Sequence, residues 1–103
     1  MALKMVVIVF RESLADELHE ILKTCHIVAY TELQGARGTG GSGTALGTFL
    51  QPGQNSLLLT VVSDGQAKDL KDAFVATLTK LQEAQGGAEI PMKLFVLPVE
   101  EQI

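Results

Sequence analysis

The chain has 103 residues, 47% hydrophobic and 19% charged, with a formal net charge of −4. That length fits one domain, residues 1–103, with one core that needs no disulfide or metal staple. The acidic balance and eight scattered basic residues exclude a nucleic-acid surface, which requires clustered Lys and Arg.

Met5-Val6-Val7-Ile8-Val9-Phe10 is a continuous apolar run, predicted to form a central strand buried on both faces or nearly so. It is too short to cross a bilayer, and no small-residue cleavage site follows Lys4. Ser13 is the expected N-cap of the first helix, with Asp16 at the capping-box position. Leu14, Leu18, Ile21 and Leu22 recur at helical spacing and mark its buried face, leaving Glu17, Glu20 and Lys23 to solvent. The helix should stop near Thr24 or Cys25. Cys25 is the chain's one cysteine, which points to a reducing compartment and a cytoplasmic location.

Residues 26–33 alternate weakly and include Ile27, Val28 and Tyr30, predicting a second strand. A glycine-rich segment follows, about 35–54. Seven of the ten glycines fall between Gly35 and Gly53. A structureless stretch of that length in a small domain is expected to be mobile until bound, and to be the working part. Residues 55–62 form the third predicted strand. Ser63 and Gln66 make a capping box for the second helix, whose buried face is Ala67, Leu70, Phe74, Leu78 and Leu81. Gln85-Gly86-Gly87 ends it, and Met92-Lys93-Leu94-Phe95-Val96-Leu97 is the last strand.

The order β-α-β-β-α-β is the ferredoxin-like pattern, an α+β fold with a four-stranded antiparallel sheet and two helices on one face. Right-handed crossovers put the first and third strands in the centre. The opposite sheet face is left bare although it carries apolar side chains, so association through it is expected.

Little catalytic chemistry is visible, and no enzyme activity is expected. Cys25 and His26 are chain neighbours, which does not make them face each other. His19 reads as a solvated surface histidine. No metal motif is present, so a metal site would have to assemble across subunits from His19, His26 or the acidic tail. The central strands lack the aromatics that stack RNA bases, and Arg11 lacks the glycine turn of an acylphosphatase-like anion cradle. Within the glycine segment, Gly38-Thr39-Gly40-Gly41-Ser42-Gly43 can present successive backbone amides to an anion, beside the segment's one cation, Arg37.

Several motifs resemble the PII signalling superfamily, which also includes the CutA family. The second strand ends in Tyr30-Thr31-Glu32-Leu33-Gln34-Gly35, similar to the Thr-Glu-(apolar)-x-Gly with which PII proteins enter their T-loop. A long loop follows at the same place. Val61-Val62-Ser63-Asp64 leads into the second helix, and Lys93-Leu94-Phe95-Val96 is similar to the family's Lys-Ile-Phe-Val.

The resemblance implies a homotrimer that holds a small effector, an adenine nucleotide or another small anion, in the cleft between subunits. It signals through its loop to a membrane transporter or other target protein. Metal is less expected, and a CutA-like metal-binding or metal-tolerance protein is the alternative. Thr31, Gly35, Arg37, Gly38 and Lys93 are the implied ligand residues. Gly40, Gly41, Ser42, Gly43, Leu46 and Phe49 form the implied partner-binding part of the loop. The chain departs from PII proteins where they hold phosphates. Gly86-Gly87-Ala88-Glu89 stands in place of a Gly-Asp-Gly-Lys turn, and Glu100-Glu101 follows the last strand where arginines are expected.

Overall fold

Alternation organises the first strand, β1, Leu3–Arg11, in the computed structural model, which describes residues 2–36 and 55–103. Val6, Ile8 and Phe10 are fully buried, while Met5, Val7 and Val9 between them are half-buried. The continuous apolar run therefore does not mean burial on both faces within one chain. Only one face is covered by helices.

After β1 the chain makes a 3-10 turn, Glu12–Leu14, then α1, Ala15–Thr24. Ser13 does not cap this helix. Leu14 holds the N-cap position, with no side-chain hydrogen bond, because the 3-10 turn takes Ser13 into a turn of its own. Asp16 and Glu17 still lie in the first turn, where the helix dipole favours acid. Leu18, Ile21 and Leu22 are buried as expected.

The second strand starts later than its composition suggests. The helix ends in a paired closure, with the Ile27 amide donating to the Leu22 carbonyl and the His26 amide to that of Lys23. His26 takes φ 58°, the left-handed conformation this closure demands. Strand pairing begins only at β2, Thr31–Ala36. Strand β3, Asn55–Ser63, leads directly into α2, Asp64–Ala84, through the Ser63–Gln66 capping box, both of whose hydrogen bonds are present. Gly86 and Gly87 (φ 67° and 90°) turn the chain toward β4, Met92–Pro98.

The sheet order is β2-β3-β1-β4, every pair antiparallel, with β1 and β3 in the centre. This is the ferredoxin-like arrangement. Val6, Ile8, Phe10, Leu58 and Val62 pack under Leu18, Ile21, Leu22, Leu70 and Phe74 of the two helices. Phe10 belongs to this core and cannot stack on a base. The far face runs Met5–Val61, Val7–Leu59 and Val9–Leu57 across the central strands, extended by Phe95 and Leu97 on β4 and Leu33 on β2. Phe95, Leu97 and Leu33 are each about half exposed (51%, 45% and 50%), so among the described residues no helix or strand covers this broad apolar face.

Candidate functional site

At one end of the sheet, the cross-strand partners Arg11, Asn55 and Ala36 stand side by side on β1, β3 and β2. The glycine-rich segment leaves the sheet here. The 85–91 turn closes on the same end, with the Arg11 amide donating to the Pro91 carbonyl at 3.2 Å. A 370 Å³ cavity between the end of β1 with the turn after it and the 85–91 turn is lined by Arg11, Ser13, Glu89 and Pro91, among others.

Gly35 is the structural pivot of this end. Gln34 pairs with Ser56 and Ala36 with Asn55, so Gly35 is an extra residue, a bulge in the ladder. Its φ is +70°. A Cβ there would meet nothing within 4 Å, so the backbone conformation, not space, calls for glycine. The bulge turns the Gly35 amide out of the ladder, where it donates to the Glu12 Oε2 at 3.3 Å. Sequence reasoning missed Glu12, and no local pattern signals it, because it lies 23 residues from its partner.

Thr31 and Lys93 are both exposed, but one chain does not bring them together. Thr31 lies opposite Leu59 on edge strand β2, and Lys93 opposite Val9 on edge strand β4. Two strands separate them, three spacings or roughly 14 Å across the sheet, and they stand two residues apart along it. Arg37, Gly38, Gly40, Gly41, Ser42, Gly43, Leu46 and Phe49 lie outside the described residues.

The other candidates have structural partners. His19 is not a freely solvated histidine. Its Nε2 lies 2.6 Å from Glu32 Oε1, and its ring stacks on Tyr30 with centroids 6.2 Å apart. Cys25 packs partly buried against the core, and burial, reinforced by the Asp69 charge, raises its thiol above the ordinary value. A raised thiol is a poor nucleophile. Glu17 faces the groove between the helices rather than open solvent, with Oε2 buried and without a hydrogen-bond partner among the described residues. Among the described residues, no three His, Cys, Asp or Glu are grouped to hold a metal ion. No helix among them is long and apolar enough to cross a membrane.

A model of the family "nitrogen regulatory protein P-II" matches residues 3–103. No curated protein sequence is significantly similar to this chain. Among solved structures, CPII from Thiomonas intermedia K12 bound to ADP, AMP and acetate superposes with a TM-score of 0.69 at 16% identity, covering 95% of this chain and 86% of that one. The same protein, a nitrogen regulatory PII-like protein, bound to ADP, AMP and bicarbonate gives 0.65 at 16% identity, covering 96% and 89%. A protein from Thermus thermophilus described as PII-like and signalling gives 0.56 at 28% identity, covering 96% and 87%.

Proposed function

This chain belongs to the nitrogen regulatory protein P-II family, and we propose that it is a non-enzymatic, homotrimeric regulator that senses a small anionic ligand between its subunits. The carrying observation is the separation of Thr31 and Lys93 on opposite edges of a sheet whose outer face is apolar and uncovered. A heterologous ring in which the three sheets face inward covers that face, and seating the β2 edge of one copy against the β4 edge of the next juxtaposes the two residues. Three such contacts close a ring. Ligand occupancy at the root of the glycine-rich segment then alters how that segment, with Arg37 and Gly38 at its start, meets a partner protein.

ADP, AMP and bicarbonate are bound by CPII, and they are the first ligands to test on this chain. The turn and tail argue for a ligand with few phosphates. Glu89 lies in the turn before β4, and Glu100 and Glu101 follow it, so a triphosphate meets acid rather than lysine and arginine. Sedimentation equilibrium combined with calorimetric titration of AMP, ADP, ATP and bicarbonate tests the reading. A trimer that binds AMP, ADP or bicarbonate, and ATP more weakly, supports it. A monomer at micromolar concentration, or submicromolar ATP binding, contradicts it.

A further inference from the structure

The Glu12–Gly35 contact joins two chemistries that suit a third party. The amide belongs to a bulged, left-handed glycine with no register partner on β3, and it donates to a side chain. The acceptor it has found is the carboxylate of half-buried Glu12, in a contact open to solvent. A carboxylate and a ligand oxyanion accept from an amide in the same way, so one amide hydrogen cannot serve both well.

Glu12 is also placed to be released. It is the first residue of the 3-10 turn, neither in the β1 ladder nor within α1. The contact is exposed and 3.3 Å long, at the weak end of such bonds. Letting it go breaks no core packing.

We infer that Glu12 is an internal stand-in for the ligand, its carboxylate holding the Gly35 amide at the root of the glycine-rich segment until a small oxyanion displaces it. The inference rests on the proposed ligand site between subunits. The oxyanion is a carboxylate, a bicarbonate or a phosphate group, each of which presents the same acceptor to the amide. The stand-in sets a threshold, because the ligand must both compete with Glu12 and tolerate its charge nearby.

The test uses the full chain, its Glu12→Ala and Glu12→Gln variants, and Glu20→Ala as an exposed acid on α1 that removes the same charge elsewhere. Sodium bicarbonate and AMP are the two probes, separating a carbonate-type from a phosphate-type anion. Without any probe, Glu12→Ala should shift the Gly35 amide resonance and speed its hydrogen exchange, and Glu20→Ala should not. With a probe, Glu12→Ala should bind roughly two- to tenfold more tightly than the parent, the range expected when a charge-assisted contact stops competing, and Glu12→Gln, which keeps an acceptor oxygen but not the charge, should gain less. Equal affinities, or an equal gain in Glu20→Ala, overturn the displacement idea. An unchanged Gly35 resonance overturns the contact itself. If neither probe binds parent or variants while Gly35 responds to Glu12→Ala, the contact is real but the ligand reading fails, and the stand-in role falls with it.

Discussion

His19 Nε2 lies 2.6 Å from Glu32 Oε1, tying α1 to the strand that leads into the glycine-rich segment. The two residues are 13 apart in sequence, and the Glu32 side chain is only 15% exposed. A carboxylate only accepts, so the imidazole Nε2 carries the hydrogen, with the Tyr30 ring stacked against it. His19→Ala should therefore destabilise the protein by about 1 kcal/mol, mostly by leaving Glu32 half-buried without its donor. Urea unfolding at fixed protein concentration measures this. Lys68→Ala is the comparison, because the Lys68–Asp72 pair is exposed (74% and 59%) and spaced i,i+4. Its loss should cost no more than about 0.5 kcal/mol. Equal effects of the two substitutions would show that the His19–Glu32 contact contributes nothing special.

His26 holds φ 58° at the end of α1 with its side chain exposed. A left-handed residue with a Cβ costs roughly 1–2 kcal/mol, partly offset when glycine replaces it by the extra freedom of the unfolded chain. His26→Gly should stabilise by about 0.5–1 kcal/mol, read as a higher urea midpoint with unchanged slope. Destabilisation would mean that the imidazole makes a contact worth more than the strain.

These two residues also show where the chain's legibility ends. Most elements can be read locally. The Ser63–Gln66 capping box, the apolar stripe Leu18, Ile21, Leu22 and the glycines after Gln85 each depend on residues within one or two turns. The β-α-β-β-α-β order then follows from the elements. The start of β2 is not local in this sense. Ile27, Val28 and Tyr30 have strand composition, whereas the helix closure at His26 delays pairing until Thr31. Ser13 has capping chemistry, but a 3-10 turn intervenes. At the site, Gly35 can be singled out by its type and place. Glu12 and Glu32 cannot, because their partners are brought near only by the folded sheet.

Cys25 gives a prediction about pH. Desolvation, then the Asp69 charge, raises the thiol above its ordinary value of 9.0, so the folded state favours the protonated form more than the unfolded state does. The associated stability is fully present below pH 9 and is lost as pH rises through the folded value. Alkylation by iodoacetamide at about pH 7.5 should be slower in the native protein than in urea. Chemical stability should fall above pH 9 in the parent, and less steeply in Cys25→Ala. Rapid native alkylation at that neutral pH would remove both expectations.

The central claim is that the ligand site is shared between copies of the chain, with Thr31 and Gly35 from one and Lys93 from the next. Mixing two defective variants tests it most directly. Thr31→Glu and Lys93→Glu each place an acid at one side of the proposed site, on exposed edge positions that leave the core untouched. Each homotrimer should lose binding of AMP and bicarbonate. Co-refolding the two in equal amounts should restore parental affinity at about one quarter of the sites, those whose contributing residues are both unaltered, as a heterologous ring requires. Mixtures that bind no better than either variant alone would place the whole site within a single chain and contradict the account.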